Sequence, residues 1–473
     1  MKFCKDIPEF DAYDLVVCGG GPSGIPAAVA ARRRGLKVLL VEATGQLGGV
    51  GTSAGVSHLL ASRTPHNEVC VAGIFKEFTE ELAARGGAIN PDTITVEGEY
   101  SPHGWGGKVG SLTYGVPFDP VQMVCFLDEK MLAEKVDVLF FTQVVDVLKE
   151  NGEDRVSHVV IFNKSGLQAV PAKAVVDATG DADVAARSGC EFVKGRKEDG
   201  LMTPTTLIFH VNNVDQDALS DYIHGTGERR FVKKINSLRE TGEWKFPYDI
   251  FITVQLHEKG TLMVNTTRIC DVDGTDGRSL SRGMMRGRSE MRELFALMKK
   301  HFPGFEKASI KMVAPVLGVR ETRRIVGDFI YTVEDLVNER DFPDTIGFTG
   351  YGWDLPDPKQ PSYQPMHGTS RNRSFTPMPY SIMVPRPVRN VVCPGRAISV
   401  ERHVLGPLRE QGACYAMGEA AGVAAAMVVA EQIAFKEVDT AALREALRNQ
   451  NAKVDWDQEI QPTPWSVASV NSQ

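Results

Sequence analysis

The sequence has no CxxC pair, no repeat, no low-complexity tract and no excess of basic residues. Its eight cysteines are scattered along 473 residues, a spacing that argues against a zinc cluster and against a vicinal redox disulfide. We therefore expect no metal site. The net charge of −7 offers no broad basic surface, so we expect no nucleic-acid partner.

The chain also lacks a long apolar run and a basic-then-apolar start. Its apolar stretches fall short of the roughly 20 residues that cross a bilayer, which predicts no membrane span. Residues 1–21 contain acidic residues and a proline before the first apolar run, an order that is not typical of a secretory signal. We expect a cytoplasmic protein, and the length predicts two domains or one domain with an inserted lobe.

A glycine-rich turn follows the first apolar run. Residues 13–18 (YDLVVC) are apolar and β-branched, as in a strand buried on both faces of a parallel sheet. The glycines after this strand have GxGxxG spacing: the first permits a tight turn, the second lets backbone approach a pyrophosphate, and the third allows close helix–strand packing. The residues of this turn that we expect to contact a dinucleotide are Gly19, Gly21, Pro22, Ser23 and Gly24.

A small-residue helix, a second strand and an acid complete this unit. Residues 23–34 predict a helix whose N-terminal amides and dipole face a diphosphate. Residues 37–41 (KVLLV) predict the second strand, and Glu42 stands at its carboxyl end. A carboxylate at this position accepts hydrogen bonds from both ribose hydroxyls of an adenosine. The complete unit predicts binding of a dinucleotide, either NAD or FAD.

A second glycine-rich turn favours FAD. The segment ATGQLGGVGTSAG follows the acid directly. With this turn the sequence resembles the FAD-dependent oxidoreductases of the glutathione-reductase-like superfamily, with fumarate-reductase flavoproteins among the relatives. In that superfamily the turn lies against the phosphate and ribityl region of the flavin. The resemblance implies that FAD is the cofactor and that this segment contacts it through Ala43, Gly48, Gly49 and Thr52.

Three later segments agree with this resemblance. Residues 142–148 (TQVVDVL) resemble the strand and hairpin whose backbone touches adenine. Residues 175–182 (VVDATGDA) match the ATG motif near the adenosine, and residues 390–428 match the last flavin strand, turn and helix. The positive end of that helix would face the flavin's pyrimidine edge. The residues that the resemblance assigns to FAD in these segments are Val144, Ala178, Thr179, Gly180, Gly395, Arg396, Gly412 and Ala413.

The resemblance implies an α/β fold. A Rossmann-like FAD-binding domain, built on a parallel sheet with a β-meander, would carry an inserted α+β substrate or cap domain. We expect the FAD-binding domain to comprise residues 1–200 and 378–436, the inserted domain residues 201–377, and a C-terminal helix and tail residues 437–473. The insert would cover the isoalloxazine, and residues 351–377 have the proline, glycine and aromatic content of a substrate lid.

Few protein groups are required for catalysis, because the flavin supplies the hydride chemistry. Arg409 matches an arginine of a bacterial subfamily that also has the GVRETRRIVGD segment found here at 318–328, and it would face the substrate or the flavin. Arg320 in that segment either binds a substrate carboxylate or joins an ion-pair network with the charged residues after it. Relatives often show Asp-Ile-His where this chain has Asp-Leu-Pro at 354–356.

Histidines are the remaining candidates for chemistry. His403 near the last glycine turn, and His367 with Tyr363 in the lid, are candidate acids or bases, and each can equally be a structural residue. His58 and His66 follow the second glycine turn, where certain relatives bind the flavin covalently. We favour a non-covalent FAD.

These features predict an enzyme that transfers a hydride between a small organic substrate and flavin N5. A second GxGxxG after a strand is absent, as is CxxC, which disfavours a pyridine-nucleotide disulfide reductase. The flavin would then exchange electrons with a separate donor or acceptor. Two alternatives stay open, a flavoprotein that acts on tRNA and a redox-neutral FAD-binding protein. The length of the middle lobe is compatible with a homo-oligomer.

Overall fold

The computed structural model describes residues 5–90, 115–149, 154–228, 230–366, 369 and 371–457, so His367 and the end of the predicted C-terminal tail lie outside it. The strands of the described residues are β1 (Tyr13–Cys18), β2 (Val38–Val41), β3 (His58–Leu60), β4 (Gly115–Pro117), β5 (Asp137–Leu139), β6 (Gln143–Lys149), β7 (Val156–Asn163), β8 (Gly166–Asp177), β9 (Phe192–Lys194), β10 (Phe209–Asn212), β11 (Thr253–Gln255), β12 (Leu262–Val264), β13 (Ser309–Val313), β14 (Arg323–Ile325), β15 (Thr345–Thr349), β16 (Thr376–Pro379) and β17 (Val391–Val392). The helices are α1 (Gly24–Arg33), α2 (Ile74–Ala84), α3 (Pro120–Glu134), α4 (Asp183–Arg187), α5 (Gln216–Thr226), α6 (Val232–Glu240), α7 (Gly277–His301), α8 (Val333–Val337), α9 (Leu405–Leu408), α10 (Gln411–Glu431) and α11 (Thr440–Arg448).

The largest sheet has the strand order β5-β2-β1-β8-β7-β6, and β17 pairs with the C-terminal part of β8. β5, β2, β1, β8 and β17 pair in parallel, while β6, β7 and β8 form an antiparallel meander. All of β2 and nearly all of β1 are buried, as expected for apolar strands covered on both faces. The predicted α/β class, with a parallel sheet and a β-meander, is confirmed.

Two helices of small residues, α1 and α10, pack against each other and against this sheet. A Cβ atom on Gly418 would lie 2.0 Å from the carbonyl oxygen of Ser23, and one on Gly422 would lie 2.3 Å from that of Ala27. Larger side chains therefore cannot be accommodated between the helices. This close contact holds the N-terminal turn of α1 beside a segment nearly 400 positions later in the chain.

α10 is also the most apolar long helix of the structure. Among the described residues it alone is long and apolar enough to cross a membrane by length and composition, and 72% of its most apolar window is buried inside the protein. The sequence predicted this helix but not a stretch of this apolar length, because much of its apolar character comes from alanine and glycine. It contacts α1, α2, α11 and β15, so its apolar surface is part of the core.

A second sheet, antiparallel, has the order β11-β12-β10-β13. Its core is formed by side chains between Leu207 and Leu317 and includes a cluster of aromatic rings. In this cluster the ring centroids of Phe251 and Phe302 are 4.3 Å apart. The 25-residue helix α7 covers this core with its buried face, which includes Leu294.

The core of the second sheet is shorter than the predicted insert. Tyr331, Phe348 and Phe375, which belong to the predicted insert but follow this core in the chain, pack into the core of the main sheet instead. Trp353 belongs to the same core. The segment 351–377, which was predicted to be a lid from its composition, therefore includes residues that form part of the core. The domain boundaries at 200 and 377 stay a prediction.

The second sheet contacts the second glycine-rich turn. Nε2 of His210, on β10, lies 2.8 Å from the carbonyl oxygen of Gly55. Burial lowers the pKa of His210 to about 4, so the ring is neutral and Nε2–H can donate to this carbonyl. Gly55 has a φ of 75°, and a Cβ there would lie about 3 Å from Met312 and Ile208. The turn after β2 is therefore held against β10 and β13.

Candidate functional site

A cavity of about 650 Å³ extends from the glycine turn after β1 to the second sheet. Its walls include the carboxyl ends of β1, β2 and β8, which is where open α/β sheets bind ligands. Most residues that the sequence assigned to a dinucleotide line it. These are Gly19, Gly21, Pro22, Ser23, Glu42, Ala43, Gly49, Val144, Ala178, Thr179, Gly180, Gly395 and Arg396.

The other assigned residues do not line the cavity but support its wall. They are Gly24, Gly48, Thr52, Gly412 and Ala413. A Cβ on Gly24 would lie 1.8 Å from the carbonyl oxygen of Gly19, and one on Gly412 would lie 2.7 Å from a carbonyl oxygen of β3. The Thr52 hydroxyl donates to the carbonyl oxygen of Leu47 at 2.6 Å. Their small size or local bonding shapes the turns, and their direct contact with a ligand stays a prediction.

The N-terminus of α1 lies at one end of the cavity. Ser23 makes no side-chain capping bond there, and the first turn contains no acidic residue. Gly19 has a φ of 110°, and its Cβ would lie 2.4 Å from the Ala178 carbonyl oxygen. At Gly21 the nearest atom to an added Cβ is 3.8 Å away, so the backbone borders open space. This uncapped helix end, with its amides and dipole, fits the diphosphate of a dinucleotide.

Glu42 occupies the cavity wall at the end of β2. Its Oε2 accepts a hydrogen bond from the N–H of Gly20 at 2.8 Å. Its Oε1 accepts from the N–H and the hydroxyl of Thr44 at 2.7 Å and 2.8 Å. These bonds fix the orientation of the carboxylate. Each oxygen has more than one lone-pair position, so the group can also accept bonds from a ribose.

Arg396 joins the ATG turn to the segment before β14. Its Nε donates to the Gly180 carbonyl oxygen at 2.7 Å, its Nη1 to the Val319 carbonyl oxygen at 2.6 Å, and its Nη2 to Oδ1 of Asp181 at 2.6 Å. Three nitrogens of the guanidinium are therefore engaged with the protein. This residue fixes the relative position of two parts of the wall.

Two of the four predicted catalytic residues, Arg409 and Arg320, line the cavity. His403 does not line it. It lies on a 3-10 turn at 402–404, where burial lowers its pKa, so its position gives no support to an acid–base role. His367 lies outside the described residues.

The other ring side chains that the sequence offered also lie away from the lining. Tyr363 is exposed, and neither His58 nor His66 borders the cavity. His58 is buried on β3, where burial lowers its pKa to about 4. The geometry therefore offers neither histidine for a covalent bond to a ligand in the cavity.

The RETRR segment divides into two parts. Glu321, fully buried, pairs with Arg324 at 2.8 Å and with Arg402 at 2.9 Å. Arg323 pairs with the acid at the start of α4 at 3.0 Å. These residues form the ion-pair network that was one of the two expectations. Arg320 makes no ion pair with a described residue and lines the cavity instead.

Sequence reasoning missed most of the far end of the cavity. The main residues there are Thr206, Asn265, Arg268, Tyr351, Glu410 and Gln411. Glu410 and Gln411 lie within the matched segment 390–428 and Tyr351 begins the lid segment, but none of the six was predicted as a site residue. Asp354, which also lines the cavity, was signalled by the Asp-Leu-Pro segment that stands where relatives have Asp-Ile-His.

The arginines and acids of this end form a charged group. Nη2 of Arg409 donates to the carbonyl oxygen and to Oδ2 of Asp354, both at 2.9 Å, and its Nη1 lies 2.9 Å from Oε1 of Glu410. Burial works to raise the pKa of Asp354, but Arg409 and other arginines outweigh it and lower that pKa. Burial raises the pKa of Glu410. The Tyr351 hydroxyl donates to Asp354 Oδ2 at 3.5 Å.

The α/β fold and a cavity that ends on an uncapped helix N-terminus define a dinucleotide-binding protein. The model of the family described as FAD dependent oxidoreductase matches residues 14–447, which is most of the chain. The chain belongs to this family. It is an enzyme, and the predicted cofactor, FAD, is confirmed.

Individual relatives are distant or match only in part. A dihydrolipoyl dehydrogenase of Trypanosoma brucei brucei is 47% identical over 53 residues, which is 11% of this chain and 11% of that enzyme. A geranylgeranyl bacteriochlorophyll reductase-like protein from Thermoplasma acidophilum has a TM-score of 0.45 and 14% identity, over 97% of this chain and 94% of that chain. The myxobacterial chondrochloren halogenase CndH has a TM-score of 0.46 and 16% identity, over 94% and 79%.

Proposed function

We propose that this enzyme transfers a hydride between a C–H bond of a small organic substrate and N5 of its flavin. The observation that carries this proposal is the continuity of the cavity. The cavity begins at the glycine turn after β1, which fits a diphosphate. It ends among ionisable and apolar side chains that are not needed to bind the phosphates or the adenosine of a dinucleotide. A site in which a few polar groups converge within an apolar wall is typical of small-molecule binding.

The apolar wall at the far end includes Ile208, Ile250, Ile252 and Trp353. All four lie in connecting segments outside the helices and strands, and all four are buried. When bound, FAD supplies acceptance or release of the hydride. The role of these side chains is to exclude water and to orient the carbon skeleton of the substrate.

Tyr351 and Asp354 are the pair that we propose for proton handling. Burial raises the pKa of Tyr351 well above its usual value, so its hydroxyl stays protonated at neutral pH. The arginines keep Asp354 in the carboxylate form despite its burial. The hydroxyl donates to this carboxylate at 3.5 Å. A substrate hydroxyl or amine could lose its proton to this pair.

Anaerobic reduction tests the proposal. The holoenzyme is mixed with a panel of alcohols, amines, hydroxy acids and, after photoreduction, conjugated alkenes, while the flavin band near 450 nm is recorded. We expect at least one alcohol, amine or hydroxy acid to bleach this band, or at least one conjugated alkene to restore it after photoreduction. The change should be slower when deuterium replaces the transferred hydrogen. Oxygen, quinones and soluble carriers are then screened as the second electron partner.

Two outcomes would replace this function with an alternative. FAD that binds but exchanges electrons with none of these compounds would favour a redox-neutral role. Tight binding of tRNA with a steep dependence on salt would favour the flavoprotein that acts on tRNA. A Tyr351→Phe variant tests the proton transfer, because it removes the hydroxyl of the proposed proton-accepting pair while keeping the ring that lines the wall, and it should slow reduction of the flavin by an alcohol or amine.

A further inference from the structure

Two neighbouring guanidinium groups in the cavity wall, those of Arg268 and Arg320, both donate hydrogen bonds to Thr206 and Asn265 and have no carboxylate partner among the described residues. Arg320 donates to the carbonyl oxygen of Pro204 at 2.8 Å, to the hydroxyl of Thr206 at 2.6 Å and to Oδ1 of Asn265 at 3.3 Å. All three acceptors are neutral. Arg320 is partly exposed, because it borders the cavity.

Arg268 is buried more deeply, with only 4% of its surface exposed. The hydrogen bonds that it donates within the described structure all come from Nη1, to oxygens of the neutral residues Thr206, Asn265, Thr266 and Thr267. Its Nε is buried without a hydrogen-bond partner. One edge of this guanidinium is therefore free of protein acceptors.

The acids at this end of the cavity are already engaged. Asp354 and Glu410 both form ion pairs with Arg409. Burial, with the nearby charges of Arg268 and Arg409, lowers the pKa of Arg320 to about 9. Neutral side chains would hold the same carbonyl and hydroxyl groups at a lower cost than two buried cations. The wall thus has an excess of positive charge that the protein does not neutralise.

We propose that Arg268 and Arg320 bind an oxyanionic group of the substrate, a carboxylate or a phosphate. This inference rests on the proposed function, since it assigns the substrate class of the same cavity. Planar guanidinium groups hold such oxyanions through paired, charge-assisted hydrogen bonds. The apolar wall formed by Ile208, Ile252 and Trp353 accommodates the carbon skeleton of the same molecule.

The diphosphate of FAD is a poor candidate for this positive charge. The uncapped N-terminus of α1 fits that group, together with the backbone of residues 19–23. Arg268 and Arg320 come instead from segments that follow β12 and β13 of the second sheet. The ligand titration described next separates three candidate anions: a carboxylate, a phosphate ester and free inorganic phosphate.

Ligand titration of the holoenzyme tests the proposal. Benzoate, inorganic phosphate and phenyl phosphate are added at constant ionic strength, with neutral benzamide as the matched control, and the 450 nm flavin band is recorded. We expect saturable perturbation by benzoate or phenyl phosphate but not by benzamide. Arg320→Gln and Arg268→Gln should weaken this binding about tenfold or more. Arg282→Gln, an exposed arginine on α7, should leave it unchanged.

The pattern of ligands decides the anion. Saturation by benzoate alone assigns a carboxylate, and saturation by phenyl phosphate alone assigns a phosphate ester. Equal binding of benzoate and benzamide would overturn the proposal. So would unchanged benzoate affinity in both glutamine variants, or saturation by inorganic phosphate alone. A change of the ligand-free flavin spectrum in those variants, with anion affinity unaltered, would assign the arginines to the flavin and would also overturn it.

Thermal unfolding separates anion binding from a structural role. Without anion, Arg320→Gln should unfold at or above the wild-type temperature, because it removes an unneutralised charge and keeps an amide that can donate to the same neutral acceptors, and benzoate should raise the unfolding temperature of the wild type only. A marked loss of stability in Arg320→Gln, with benzoate stabilisation unchanged, would mean that the residue is structural. The anion site and the hydride-transfer function are tested separately. Thermal unfolding of the FAD-free protein tests benzoate binding without any flavin chemistry. If benzoate stabilises the protein but no compound of the panel reduces the FAD of the holoenzyme, the anion site is supported and hydride transfer is rejected.

Discussion

Arg409 donates two hydrogen bonds to Asp354, one to its carbonyl oxygen and one to Oδ2, both at 2.9 Å. The same guanidinium lies 2.9 Å from Glu410, at the residue that precedes α10. The side chains of Arg409 and Glu410 are no more than 10% exposed. One cation thus connects the loop after β15 to the start of the helix that follows it, at the edge of the cavity.

Removal of this cation should be strongly destabilising. Arg409→Met leaves the buried carboxylate of Glu410 and the partly buried carboxylate of Asp354 without their partner, and we expect the free energy of unfolding to fall by about 3–5 kcal/mol. Urea unfolding of the holoenzyme measures this loss. The control is Arg33→Met, which breaks ion pairs with Glu77 and Glu134 near the surface and should cost no more than about 2 kcal/mol, about 1 kcal/mol for each pair. Similar losses in the two variants would contradict the assignment of Arg409 as a buried bridge.

The glycine turn allows a second prediction from a matched pair of glycines. Gly19 and Gly35 both have positive φ, 110° and 89°. A Cβ on Gly19 would lie 2.4 Å from the Ala178 carbonyl oxygen, whereas nothing lies within 4 Å of one on Gly35. Gly35→Ala should therefore cost only the conformational strain, about 1–2 kcal/mol, and retain FAD. Gly19→Ala should displace the turn and purify largely without flavin, as measured by the ratio of absorbance at 450 nm to that at 280 nm. Equal flavin content in the two variants would argue against close approach at Gly19.

The cofactor end of the cavity was predictable because its chemistry is encoded locally. A glycine that must approach a carbonyl oxygen and an acid at the end of a strand can each be recognised from the few residues around them. Gly19, Glu42 and Thr179 were predicted from such local motifs, and all three line the cavity. The small-residue helices followed from similar local patterns, whereas the β-meander was implied by the family resemblance. His403 does not line the cavity, and spacing alone does not show which face of a short turn is directed at a cavity; its acid–base role stays a prediction.

The substrate end of the cavity was not predictable from the sequence, because its residues are brought together only by the tertiary structure. Arg268 and Asn265 reach the cavity through the pairing of β10, β11 and β12, which are far from the cofactor motifs in sequence. Nothing near Arg268 in the chain distinguishes it from the surface arginines of α7. Its character comes from burial and from the absence of a carboxylate partner, and both are properties of the tertiary structure.

A buried acid outside the cavity predicts a pH dependence of stability. Glu419 on α10 accepts hydrogen bonds from the N–H of Ile74, at the start of α2, and from Gln450. Burial raises its pKa from 4.5 to about 7. The stabilising contribution of its neutral form is fully present below about pH 4.5 and is lost as the pH rises through 7.

Glu419→Gln should remove this part of the pH dependence. The amide keeps an acceptor for Ile74 and carries no charge, so the difference in unfolding free energy between variant and wild type should grow in favour of the variant from pH 5 to pH 8, by about 3 kcal/mol. Urea unfolding at four pH values measures it. Other buried acids contribute equally to both proteins and cancel in the difference. A difference that is constant with pH would show that Glu419 is ionised throughout.

Glu42 provides a test of the cofactor end that does not depend on the substrate. One carboxylate oxygen accepts from Gly20 N–H, and the other accepts from both donors of Thr44. Glu42→Gln must direct its NH₂ group at one of these donors, and it also loses an acceptor for a ribose hydroxyl. Because each hydrogen bond to a charged group contributes about 1.5–3 kcal/mol, we expect the Kd for FAD to rise roughly 10- to 100-fold. Fluorescence titration of the FAD-free protein measures it. Thr44→Val is the control, since it removes one neutral donor but keeps the carboxylate, and its Kd should rise less than about tenfold. If Glu42→Gln bound FAD as tightly as the wild type, the acid at the end of β2 would serve only to shape the turn, and the adenosine would have to be held elsewhere along the cavity.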